Sequence, residues 1–462
     1  MTQKSWSKTQ STAPALVLSR EYIPRNTIQL AIPAVAENLL QTMVFLTNTL
    51  LVGRLKDPAA LAAVSLGGLF LGIANQLFSA VAVTTTSLVA HAWGAQDFAR
   101  ARRVAAQSVA LAVLFAALTS VLLWPTGSSL LSWMGASERA IELGSMYIRT
   151  ILLTSLLGFP MVVLNGVLRG SGDTRTPMII TLIMNVFNAV TAAVLVFGMG
   201  PIPPLGLAGA ATATAAARLL GGIMALALVM SGKRFLPIRL RDVIRWDGRL
   251  ISYTVRLSLP TAADSLLRRM GFILFMRTVS SLGETALAAH QIAVNVESLS
   301  FMPGFGLSVA CTTLVGQSLG AKKPELADES IRAAVRLALL VMGGLGVVFA
   351  LWGPAIAALF GSTPEVLAMA GSAVRIGALE QLPIAVQMVI AGGLRGAGDM
   401  RTPVYATLIG TFLFRVPMVY VLAVVLGWGL DGVWLGTAFD WTARAVLMYV
   451  LFRRGAWRGI RL

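Results

Sequence analysis

"LRGSGDTRTP" (residues 168–177) and "LRGAGDMRTP" (residues 394–403) agree at eight of ten positions and begin 226 residues apart. A capped turn accounts for either copy alone. Glycines such as Gly172 and Gly398 end one helix, and Asp173 or Asp399 accepts from open backbone donors. Thr-Pro then suits the N-cap and first position of the next helix. The glycine run follows a helix rather than a strand, which argues against a phosphate cradle. What a turn does not explain is the duplication.

Other pairs keep nearly the same offset. "LAIPAVAENLL" aligns with "LSLPTAADSLL", matching Pro33 with Pro260 and Glu37 with Asp264. "LAAVSL" aligns with "LAAHQI", "VAHAWGA" with "VGQSLGA", Arg149 with Arg375, and Arg218 with Arg444. One unit is therefore written twice.

Composition sets the medium of that unit. Hydrophobic residues make up 56% of the 462 and charged residues 12%, about half the roughly 25% of a soluble protein. Runs such as "VALAVLFAALTSVLLW" and "LALLVMGGLGVVFALW" reach, with their flanks, the ~20 residues a spanning helix needs. The fold expected is an all-α polytopic membrane protein. Twelve spans are predicted, at about 28–52, 60–90, 104–125, 140–168, 178–199, 205–231, 251–279, 287–318, 331–353, 366–394, 404–426 and 432–452. The domain reading is a tail over 1–27, a six-helix bundle over 28–231, a basic linker over 232–250, a second bundle over 251–452 and a basic tail over 453–462. No removable signal peptide is expected in the polar start. Cys311 is the only cysteine, so an internal disulfide and a cysteine zinc site are excluded, and no other metal site is expected.

Lys and Arg decide the orientation. The ends and even-numbered loops hold Lys4, Lys8, Arg20, Arg25, Arg100, Arg102, Arg103, Lys233, Arg234, Arg239, Arg241, Arg245, Lys322, Lys323, Arg453, Arg454 and Arg458. The opposite loops hold little beyond Arg54, Lys56 and Arg139. Both termini are expected in the cytoplasm, in an integral protein of the cytoplasmic membrane. The net charge of +17 is mostly this bias, and no basic soluble face exists for nucleic acid. The repeated loops, with Arg169, Gly172, Asp173, Arg395, Gly398 and Asp399, then lie on the cytoplasmic side. An even number of spans per unit makes the repeats parallel, an arrangement typical of transporters with a site near mid-membrane at the repeat interface.

The stretch "AAHQIAVNVESLSFMPGFGLSVACTTLVGQSLGA" (288–321), together with the two loops, resembles the multidrug and toxic compound extrusion family. The resemblance covers nearly the whole chain after about residue 25. It implies a V-shaped pair of six-helix bundles exporting organic, often cationic compounds against protons or sodium ions, with no other cofactor. It also departs from the family pattern. Many prokaryotic members carry an acid in the first helix, where "TNT" places Asn48. DinF-like members often carry a second acid in the fifth helix, where "NVFNAVTA" keeps Asn185 and Asn188 but places Ala192 at the acid position. The acid positions of NorM-like members, in helices seven and ten, hold Arg268 and Ile384. The coupling ion cannot be carried over.

Deep carboxylates are costly and usually face a cavity or a partner. Glu37 lies about 9 residues into the first span. Its half of the chain offers few buried cations, chiefly Arg149 and Arg218, so it reads as a poorly paired acid suited to proton coupling. Asp264 stands one turn before Arg268, and it and Asp440 read as structural ion pairs. Glu297, in "NVES", and Glu380, heading "EQLP", stand open between coupling and structure. Asn48, Asn185, Asn188, Gln291, Asn295 and Gln387 are the candidate cavity residues, with hydrogen bonding between helices as the alternative for Asn185 and Asn188. His91 and His290 read as structural. The function expected is a secondary antiporter that exports lipophilic, cationic drugs or metabolites across the cytoplasmic membrane in exchange for protons or sodium by alternating access, acting as a monomer in the bilayer. The alternative is a flippase for a lipid-linked sugar, kept open by the arginines of the second half. Neither an H-E-x-x-H pair nor a G-x-S-x-G elbow is present, so an enzyme is not expected.

Overall fold

The computed structural model describes residues 16–199, 201–232, 236–460 and 462. The first 15 residues of the tail, with Lys4 and Lys8, and Lys233 and Arg234 of the linker lie outside the described residues. Among those described, twelve long helical segments follow one another without a strand. They are α1 (Ile23–Gly53), α2 (Pro58–Gly94), α3 (Phe98–Trp133), α4 (Glu138–Leu152, continued by Ser155–Gly170), α5 (Arg175–Phe197) and α6 (Leu207–Met230). The second set is α7 (Gly248–Ser280), α8 (Glu284–Gly320), α9 (Pro324–Ala358), α10 (Pro364–Gly396), α11 (Arg401–Val425) and α12 (Gly429–Arg454).

Nine of the described helices are long and apolar enough to cross a membrane, and the bent α4 pair is a tenth. α7 and α12 are long enough but charged. Asp264, Arg268, Arg269 and Arg277 lie on α7, and Asp431, Asp440 and Arg444 on α12. This is an integral membrane protein in which the deep acids of these two helices, Asp264 and Asp440, are paired with arginines.

Local chemistry starts and breaks these helices. Asp57 accepts from the backbone N of Ala59 at 3.0 Å at the head of α2, and Asp97 from that of Arg100 at 2.9 Å at the head of α3. α4 bends by 57° between its two parts. In α10, Pro383 offers no N–H to the carbonyl of Leu379, and a 3-10 turn over Ala378–Glu380 takes up the break. α11 contains two π-helical stretches, Ile409–Arg415 and Val421–Val425.

The chain forms two compact units. The first holds residues 36–256 and the second residues 16–35 with 257–462, so the dividing lines fall inside α1 and α7. The first unit is centred on Leu71, Phe78, Leu111, Ile148 and Phe159, with the Phe78 and Phe159 rings stacked at 4.7 Å. The second has one cluster around Leu30, Leu314, Ile331 and Ile384, and another around Phe275, Val296, Phe349 and Trp434. Small residues bring backbones together, as in many membrane bundles. In the first unit the Thr86 hydroxyl donates to the carbonyl of Gly166 at 2.9 Å, and a Cβ on Gly166 would come within 2.6 Å of the Ala82 carbonyl oxygen. In the second unit, at the repeat offset, Thr312 donates to the carbonyl of Gly392 at 2.8 Å.

Candidate functional site

The repeated loops fold alike. Gly172 and Gly398 take φ of +96° and +92°, the left-handed region that favours glycine. Asp173 accepts from the backbone N of Thr176 at 2.9 Å and from its hydroxyl at 2.6 Å; Asp399 does the same with Thr402 at 3.0 and 2.6 Å. The following helices begin at Arg175 and Arg401, so Thr-Pro occupies the second and third helical positions rather than the N-cap and first. A proline fits there because first-turn N–H groups have no intrahelical partner to lose.

The loop arginines reach back to the acid in the first helix of their own half. Arg169 donates from Nε to Glu37 Oε2 at 3.2 Å and from Nη2 to Oε1, a two-pronged grip. Asn165 and Gln41 each donate to Glu37 Oε1 at 3.3 Å. Glu37 is 1% exposed. The expectation of a poorly paired Glu37 is thereby corrected: its cation is Arg169, a residue of the repeated loop. In the second unit Arg395 donates to Asp264 Oδ2 at 3.0 Å and Arg268 to the same oxygen at 2.6 Å.

Asn48 and Asn188 converge on one hydroxyl. Their Nδ2 atoms lie 2.8 and 3.5 Å from Thr214 Oγ1, while both Oδ1 atoms are buried without a partner among the described residues. Asn185 donates to the carbonyl of Leu40 at 2.7 Å. Ala192 is fully buried nearby in sequence. Asn48 and Asn188 are thus enclosed in hydrogen bonds between helices. Gln291 and Asn295 are exposed on α8 and bonded to each other at 3.4 Å, and Gln387 is buried in α10.

The acids of the second unit form two groups. Asp440 is fully buried and held by Arg444 through both oxygens, at 2.6 and 2.7 Å, and by Arg415 at 2.8 Å. The π-helical stretch of α11 ends on Arg415, and Gly410 leaves room for the Arg444 side chain. Glu380 has a hydroxyl donor instead, Thr437, at 2.5 Å. Glu297 is its neighbour: the two carboxyl groups lie against each other, and Glu297 Oε1 is buried without a partner among the described residues. Carboxylates only accept hydrogen bonds, so two carboxyls in contact hold at least one proton between them. No sequence signal points to this meeting, since the two residues lie on α8 and α10. Among the described residues no group of three metal-ligating side chains occurs.

A family model described as MatE matches residues 33–194 and 260–421. The probable multidrug resistance protein NorM of Thermotoga maritima is 31% identical over 447 residues, 95% of each chain. The multidrug resistance protein PmpM of Pseudomonas aeruginosa is 29% identical over 467 residues, 97% of this chain and 96% of its own. Among solved structures, the crystal structure of MATE in the bent conformation overlays with a TM-score of 0.88 at 24% identity, covering 95% of this chain and 96% of that one.

Proposed function

The chain belongs to the MatE family, and from that premise we propose that it exports lipophilic, positively charged drugs or metabolites across the cytoplasmic membrane in exchange for protons. Its relatives in Thermotoga maritima and Pseudomonas aeruginosa bear multidrug resistance names. The observation that carries the proton reading is the Glu297–Glu380 carboxyl pair, two acids set against each other, with Arg415 the guanidinium that acts on both and is itself bound to Asp440. Protonation from one side and release to the other changes the charge of a buried site, and with it the attraction for a cationic cargo. Glu37, gripped by Arg169, is assigned to positioning α1 rather than to coupling. We propose further that both termini lie in the cytoplasm, which the loop charges favour, and that a monomer is the working unit.

The flippase reading is not favoured. The arginines that would hold a pyrophosphate are engaged: Arg268 and Arg395 with Asp264, Arg415 and Arg444 with Asp440.

The test is uptake of a fluorescent lipophilic cation by proteoliposomes under a proton gradient or a sodium gradient imposed separately. A proton gradient alone should drive transport, and Glu380→Gln or Glu297→Gln should abolish it. Transport driven by sodium alone, or undiminished in both variants, overturns the proposal.

A further inference from the structure

We infer that His290 is the relay through which protons reach the Glu297–Glu380 pair, by way of ordered water held among α8, α10 and α12. The inference rests on the reading of that pair as the coupling site. His290 lies near the start of α8, at the end the charge bias places outside, and Glu297 follows seven residues later. Seven residues are about two turns, so both side chains leave the same face, roughly 10 Å apart along the axis.

The imidazole is 3% exposed and lies between two rings, Phe275 at 5.3 Å and Trp434 at 5.8 Å. Neither Nδ1 nor Nε2 has a hydrogen-bond partner among the described residues. A buried polar group left in that state is costly, and the usual remedy is an ordered water. His290 is not alone in it. Trp434 Nε1 and Glu297 Oε1 are buried and unpartnered as well. The residues His290, Trp434 and Glu297 are linked through neighbours they share. Trp434 touches His290, and Thr437 donates to the Trp434 carbonyl at 2.9 Å and also to Glu380, which lies against Glu297. A file of two or three waters, spaced about 2.8 Å, would satisfy these donors and acceptors and close the gap.

Charges on the surrounding helices leave the acid pair as the destination. Arg415 of α11 lies 6.0 Å from the Phe275 ring and acts electrostatically on both acids of the pair, which favours a negative charge there, and both it and Arg444 are bound to Asp440. On α7, Arg268 is paired with Asp264. On α10, Arg375 is exposed, as is Asp431 on α12. The transfer balances within the ring. One imidazole nitrogen takes a proton from outside, the other gives one to the water file, and the ring returns to neutral.

His290→Gln retains a polar side chain but cannot pass a proton, and it should be assayed in proteoliposomes in two modes. Substrate–substrate exchange without a pH gradient should run at the wild-type rate, whereas flux driven by a pH gradient should fall on the order of tenfold or more. Loss of both modes together marks His290 as structural, and loss of neither shows that protons bypass it; either result overturns the relay. Glu380→Gln, run in parallel, separates the two readings. If it keeps gradient-driven flux, the acid-pair reading fails; if it loses that flux while His290→Gln does not, only the relay fails. Should His290→Gln not fold, Trp434→Phe removes one donor of the file but keeps the ring, and should slow only the gradient-driven mode.

Discussion

Glu37 and Asp264 occupy equivalent positions in the two halves, and each receives the arginine of its own repeated loop. Their remaining partners differ. Around Glu37 these are the amides of Gln41 and Asn165. At the repeat offset the second half has Arg268 in place of Gln41 and Ala391 in place of Asn165. One site sets a single guanidinium against a carboxylate and completes it with neutral donors; the other sets two guanidiniums against one. The two geometries therefore respond differently when the acid is neutralised. One stranded cation remains in the first unit and two in the second.

The largest effect expected is from Asp264→Asn. Removing one member of a buried pair typically costs about 3–5 kcal/mol. Here Arg395, with its side chain 17% exposed, feels most of the loss, while Arg268 at 45% is screened by solvent. Thermal unfolding in detergent should show a fall of many degrees, partly restored by adding Arg395→Gln. A variant that melts with the wild type would break the comparison at its root.

Glu37→Gln should do less. Its amide oxygen still accepts from Arg169, so the loss is that of a charge-assisted bond, about 1–3 kcal/mol. The purified variant should keep proton-driven transport. If it folds normally and loses that transport, Glu37 is a coupling acid in spite of Arg169, and the two repeat acids differ in function as well as in partners.

The duplication, the medium and the helices were legible because they are written in local letters: repeated loops, apolar runs and the loop charges. The partner of Glu37 was legible in principle. Glu37 to Asp264 and Arg169 to Arg395 keep almost one offset, so a pair in one half implies a pair in the other. It was missed because Arg169 was read as part of a turn, although its long side chain extends from the last turn of α4 to α1. The meeting of Glu297 with Glu380 was not legible, since spacing along two helices does not say which faces they turn to each other. The same holds for Asn48 and Asn188, brought to Thr214 from three helices.

The loops themselves should respond in parallel. Gly172→Ala and Gly398→Ala each place a side chain at φ above +90°, costing about 1 kcal/mol or somewhat more. A Cβ at Gly398 also meets the Leu462 side chain, at 2.6 Å, so the second copy should lose more unless that terminal side chain moves aside. Denaturation of the two variants side by side measures whether the copies are still energetically alike.

The smallest effects belong to the position that distinguishes the two sites. Arg268→Gln gives the second site the composition of the first, and Gln41→Arg does the reverse. Both positions are exposed, so each change alone should alter stability by less than about 1 kcal/mol. Their value lies in combination with the acid. In an Arg268→Gln background, Asp264→Asn strands one guanidinium instead of two, and its cost should fall toward that of Glu37→Gln. In a Gln41→Arg background, Glu37→Gln should become more costly by a similar amount. Double-mutant cycles resolve such coupling when it exceeds about 0.5 kcal/mol. Additivity in both cycles would mean that the residue after each acid by one turn is a bystander, and that the loop arginine alone decides how firmly each half holds its first helix.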